Sequence, residues 1–199
     1  MAVSEHHWAL LTKAATSIEP GTFARYFELK RLLASGDRKA FQHEFTTYYR
    51  LNIGGLTPKF KRRYFELLFE CSPSGHPDPY TPILIELHAF ERLKGGPSIQ
   101  ASFVSKLVAI HDESRPIYDR HVSNFFGMGV PTIGTPEFRI AGFVANLVRI
   151  QEQYEEWAGD PRFGAIQATV FKKQPRLKDC HPSRLCDLLV WTVGSKGLS

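Results

Sequence analysis

Three features of the sequence could do chemistry. The stretch Lys94-Gly95-Gly96-Pro97-Ser98-Ile99-Gln100 is a Gly-Pro-rich turn between two segments with helical apolar spacing. At a tight turn between helices the backbone amides of residues 95–99 point outward together, and unpaired amides at a helix N-terminus bind a phosphate well. Asp119 stands where a further helix should open, and aspartate is among the best N-caps. Between them, Lys106 lies beside a small-residue face made by Ala101, Ser102, Ser105 and Ala109. Six residues along a helix turn the direction by about 240°, so Lys106 should face away from Gln100. It reads either as a solvated or ion-paired lysine or as an amine reaching toward Asp119 or a phosphate.

The elements that must position these residues are helices. Phe23, Tyr26, Phe27, Leu29, Leu32 and Leu33 recur at spacings of three and four, which predicts an apolar helical stripe ended by Gly36. Asp37 should cap the next helix, carrying Phe41, Phe45, Tyr48 and Tyr49 up to Gly54 and Gly55. Thr57 and Pro58 should open a third that runs to Cys71, with Lys59, Lys61, Arg62 and Arg63 in its first turns. After a Pro-rich loop over 72–79, the pattern predicts a helix from Thr81 or Pro82 to Lys94, one from Pro97 or Ser98 to His111, an extended link over 114–118 and a helix from Asp119. A loop over 127–135, a long helix over 136–157 and a last helix over 182–193 follow. Ala168 to Phe171 is a strand candidate too short to carry a sheet. The fold class expected is all-α, a single helical domain over 1–199 that contains a helix-hairpin-helix segment over about 84–126.

Composition sets the outer limits. Over 199 residues, hydrophobic residues at 43% and charged residues at 23% exclude a disordered or fibrous chain. No run approaches the roughly 18 apolar residues of a membrane span, and the first residues lack a basic region followed by an apolar one, so no membrane partner and no export are expected. Cys71, Cys180 and Cys186 are an odd set without a C-x-x-C pair, which argues against a disulfide framework or a zinc knuckle and for a cytoplasmic protein. The net charge of +5 attracts phosphate polymers without specifying which.

The segment from the turn to the aspartate resembles the helix-hairpin-helix DNA glycosylases, particularly the 8-oxoguanine glycosylase branch. Those proteins carry a hairpin of the form L-P-G-V-G-x-K, a helix, and a segment like V-P-V-D-V-H whose aspartate starts another helix. Here Lys94-Gly95-Gly96-Pro97-Ser98-Ile99-Gln100 occupies the hairpin position and Arg115-Pro116-Ile117-Tyr118-Asp119-Arg120-His121-Val122 the aspartate position, aligned without a gap. The resemblance covers about forty residues. It implies that Asp119 is catalytic, stabilising the charge that develops at the sugar C1′ as a base departs, and that Gly95, Gly96, Ser98, Gln100, Lys106, Arg120 and His121 contact DNA. Two positions depart from the pattern. Ser98 replaces the second hairpin glycine, which weakens the phosphate grip. Gln100 replaces the Schiff-base lysine, so no imine forms there and the reaction implied is monofunctional hydrolysis of an N-glycosidic bond. The partner implied is a DNA duplex with one base flipped out, bound by a monomer without a cofactor.

Other features lack a chemical pattern. Three scattered cysteines cannot hold an iron-sulfur cluster, and His6, His7 or the Glu86–His88 pair lack a second spaced pair for a metal. Trp8, Trp157 and Trp191 could stack on a base, but their places on apolar stripes or at helix ends favour burial. The basic clusters over 59–63 and 172–178 are either phosphate contacts or solvated helix faces. Asp187 is expected to order backbone or basic groups rather than do chemistry. Two other readings stay open: a non-catalytic helix-hairpin-helix module that only binds DNA, and a basic helical domain that binds acidic protein partners.

Overall fold

A computed structural model describes residues 5–52, 55–70, 75–93 and 98–198. Among them ten α-helices follow one another: α1 (Glu5–Ser17), α2 (Ala24–Ser35), α3 (Arg38–Tyr48), α4 (Pro58–Glu70), α5 (Tyr80–His88), α6 (Ala101–His111), α7 (Arg120–Phe126), α8 (Pro136–Gly159), α9 (Pro161–Lys173) and α10 (Pro182–Lys196), with a 3₁₀ turn over Pro175–Asp179. The all-α class therefore holds. Among the described residues the sole β-type pairing is an isolated bridge between Leu56 and Arg92, and no helix is long and apolar enough to cross a membrane.

Local chemistry fixes most of the helix ends. Gly36 takes a left-handed conformation, with φ of 73°, and closes α2. The Asp37 carboxylate, on the next residue, accepts the N–H of Ala40 at 3.0 Å and opens α3. Thr57 and Thr135 cap α4 and α8 in the same way, each accepting the N–H three residues on, with proline at the first helical position.

Three expectations need correction. The helix predicted to reach Lys94 stops at His88, because the chain turns away and Leu93 donates its N–H to the carbonyl of Gly55. The helix predicted from Pro97 or Ser98 begins at Ala101, and residues 98–100 before it are not helical. Ala168 to Phe171 lies inside α9, whose N-cap Asp160 and Pro161 are ordinary helix-start signals. Both α9 and α1 lie outside the elements expected from apolar spacing.

Helix α6 runs through the core. Its residues 104–110 are buried on every side, the mark of a helix at the centre of a core rather than on its surface. Helix α5 lies between α6 and α8, while α10 packs on α1, α7 and α8. Leu185, Leu188, Leu189 and Val193 of α10 point inward as their spacing predicts. The arrangement brings the middle of α10, residue 187, against the link that leads from α6 to α7.

Candidate active site

The link over residues 112–119 carries Asp119 from the end of α6 to the start of α7, and it is tied down along its length. Arg184, wholly buried, donates to the carbonyls of Glu113 and Arg115. Asp187 accepts the N–H of Ile117 on both carboxylate oxygens at 3.2 Å and pairs with Arg184 at 2.8 Å. The Ser105 hydroxyl, buried on α6, accepts the N–H of Tyr118 at 2.9 Å. Tyr118 in turn donates its phenol proton to the carbonyl of Met128 at 2.8 Å. These buried hydrogen bonds favour one backbone path, because breaking any of them is costly, although one Arg184 nitrogen, Nη1, is buried without a partner.

Asp119 follows directly. It caps α7 as predicted, one carboxylate oxygen accepting the N–H groups of His121 at 2.8 Å and Val122 at 3.0 Å. Its side chain is partly exposed, so the carboxylate is neither sealed in the core nor loose in solvent.

Lys106 is the surprise of the site. It is neither solvated nor paired at the surface; only 7% of it is exposed. A side chain on a helix leans toward the helix N-terminus, and the Lys106 Nζ donates back to the Ser102 carbonyl at 3.0 Å and the Ser102 hydroxyl at 2.5 Å. The ring of Tyr49, at the end of α3, lies 5.7 Å from the ammonium. Burial lowers the Lys106 pKa to about 8, against the attraction of the Asp119 and Asp187 carboxylates. The lysine that sequence spacing turns away from Gln100 thus lies within the field of Asp119.

Asp187 titrates in the opposite sense. Burial pushes its pKa up to about 6, aided by the Asp119 charge, while Arg184, the Ile117 N–H and Tyr154 of α8 hold it down. Behind Arg184, Glu113 accepts the Tyr26 hydroxyl at 2.8 Å and pairs with Lys30 at 3.2 Å. Asp187 is the residue whose role spacing alone could not assign beyond an ordering function, and the structure gives it that function at the link.

The remaining predicted residues divide. Arg120 is exposed and His121 partly so, next to Asp119. The His121 ring meets Trp191 edge-on at 6.2 Å, and it lies so close to Gly194 that a Cβ there would fall 2.5 Å from its Nδ1. Trp191 is 43% exposed, contrary to the burial expected, whereas Trp8 and Trp157 are in the core. Gln100 caps α6 without a side-chain bond to the helix and donates instead to the Ser98 hydroxyl at 2.6 Å. Gly95 and Gly96 lie outside the described residues.

A groove of about 750 Å³ lies elsewhere, between α3 and α4. Arg38, Lys39, Lys61 and Arg62 line it together with Glu66 and Glu70. Both of those carboxylates face Arg63, at 3.1 and 3.4 Å, so the groove keeps a surplus of positive charge. Among the described residues no three His, Cys, Asp or Glu side chains come together in a way that could hold a metal ion.

Comparison of the chain with protein-family models, with curated proteins and with solved structures found no match. What the fold and the site define by themselves is an all-α protein with a partly exposed capping carboxylate and, on the neighbouring helix, a buried lysine whose pKa burial lowers to about 8.

Proposed function

We propose that this chain is a DNA glycosylase that hydrolyses the N-glycosidic bond of a modified or damaged base, with Asp119 as its catalytic carboxylate. The observation that carries this reading is the placement of Asp119: rigidly tethered through the link, capped onto α7, and still open to solvent. As the bond from C1′ to the base breaks, the base leaves with the electron pair and positive charge develops on the sugar. A fixed carboxylate stabilises that charge without having to reorganise. It can also accept a proton from the water that attacks C1′, since Gln100 offers no amine. The positive groove between α3 and α4 suits the phosphate backbone, and the reading takes the chain as a cytoplasmic monomer acting on duplex DNA. Incubation with duplexes carrying oxidised, alkylated or deaminated bases, followed by alkali, tests it: strand breaks at one class of base support the reading. Salt-sensitive binding without breaks favours a silent DNA-binding module, and no binding near physiological salt favours a protein-interaction domain.

The buried amine favours a second reading of the same step. Lys106, with its pKa near 8, has a sizeable neutral fraction at physiological pH and could replace water as the nucleophile. Its nitrogen would bond to C1′ as the base departs, and opening of the sugar ring with loss of a proton would leave an imine. Borohydride then separates the readings: a reduced protein–DNA adduct, absent in Lys106→Met, marks lysine attack, and free abasic product marks water.

A further inference from the structure

Asp187 and Arg184 are buried ionisable groups that neither reading uses, and burying an ion pair is seldom the cheapest way to hold helices together. Their bonds point in one direction. Arg184 reaches the carbonyls of residues 113 and 115, and Asp187 takes the N–H of residue 117. The pair thus grips alternate residues of a single non-helical segment, which turns at residues 113–115 and ends at Asp119. Ser105 holds the intervening residue 118 from the opposite side, on the helix that carries Lys106. We propose that the buried Arg184–Asp187 pair is a positioning clamp, which fixes the link so that the Asp119 carboxylate and the Lys106 amine keep one mutual geometry.

The clamp acts in two ways. Mechanically, a slack link would let Asp119 drift, and misplacement by about 1 Å can cost on the order of 100-fold in rate. Electrostatically, the Asp187 carboxylate attracts the Lys106 ammonium from α10 as Asp119 does from the start of α7. The titratable groups facing this cluster include Tyr26 of α2, Tyr48 of α3 and Tyr49 just after it, Tyr80 of α5, Tyr154 of α8 and, beside the pair on α10, Cys186. All of these are neutral near pH 7 unless their own pKa is depressed, and burial raises each of them. Asp119 and Asp187 are therefore the anions that oppose the effect of burial on Lys106.

The catalytic consequence rests on the glycosylase reading; the electrostatic one does not. Two variants test the clamp. Asp187→Asn keeps an acceptor for the Ile117 N–H but removes the charge, and Arg184→Met/Asp187→Leu keeps apolar volume and leaves no buried charge unpaired; circular dichroism shows which of the two is folded. The methylation of Lys106 by formaldehyde and borohydride, followed against pH by residue-resolved mass spectrometry, reads its apparent pKa without DNA. We expect the midpoint to fall by roughly half a unit or more in Asp187→Asn and in Asp119→Asn, and by less in the double variant, which also loses the Arg184 cation. On a substrate duplex, kcat should fall about 10- to 100-fold with KM nearly unchanged, since the pair touches no surface that meets DNA. A Lys106 midpoint that stays at the wild-type value in folded variants overturns the clamp. A wild-type protein that releases no base, but whose Lys106 midpoint moves as described, overturns the glycosylase reading and leaves the clamp standing.

Discussion

Asp187, in the middle of α10, accepts the backbone N–H of Ile117, seventy residues earlier in the chain and two before Asp119. Cutting that bond should be felt in stability as well as position. Asp187→Ala leaves both the Ile117 N–H and the buried Arg184 charge unpaired, which costs about 3–5 kcal/mol. Ser105→Ala, which leaves the buried Tyr118 N–H unpaired and leaves no charge unpaired, costs about 1–3 kcal/mol. Urea unfolding followed by circular dichroism checks both, and equal, near-zero costs would show that the link is not held as described.

Lys106 predicts a pH dependence with a definite sign. The unfolded chain keeps the lysine proton to about pH 10.5, whereas the folded protein sheds it near 8. Between these values the unfolded state binds more protons, so the Lys106 contribution makes stability rise with pH across that window. The difference in unfolding free energy between Lys106→Met and wild type should change accordingly from pH 7 to 9.5. A difference that is flat with pH would mean that Lys106 keeps an ordinary pKa.

Gly194 leaves room for His121. In Gly194→Ala the new methyl would meet the His121 ring and its Cβ at 2.5–2.7 Å, so α7 and α10 must part or the imidazole must turn out. Overpacking of this kind costs about 1–3 kcal/mol. Because the His121 N–H is one of the two bonds on Asp119, base release should fall more than stability does. A variant with full activity would separate His121 from the site.

Much of this architecture is legible in the sequence because it rests on local chemistry. Gly36 followed by Asp37, Thr57 before Pro58, Thr135 before Pro136 and Asp119 after an extended X-Pro stretch each mark a boundary through one turn or one cap, and each stands where it is expected. What fails depends on distant partners. The end of α5 at His88 follows from pairing of residue 93 with residue 55, which apolar spacing cannot register. The burial of Lys106 depends on Tyr49 and on α10, and the direction of its amine on the backward lean of a helical side chain rather than on angular position alone. The Asp160-Pro161 start of α9 is a readable signal that the reading of apolar spacing passes over.

The groove between α3 and α4 makes a prediction about salt. If Arg38, Lys39, Lys61 and Arg62 meet phosphates, replacing all four with glutamine should reduce the slope of log affinity against log salt by about 0.9 for each phosphate that is no longer neutralised. Fluorescence anisotropy with an unmodified duplex at several salt concentrations measures this. An unchanged slope would move the DNA path to another face.

The central claim is that the Asp119 carboxylate, and not merely its capping bond, drives the loss of a base. Asp119→Asn separates the two, since asparagine caps helices about as well as aspartate but carries no charge. Base release under single-turnover conditions, on whichever modified duplex the wild type cleaves, is the measurement. The account predicts an Asp119→Asn protein that melts like the wild type, binds the duplex equally well and releases base at least roughly 100-fold more slowly; release at the wild-type rate from that folded variant would contradict it.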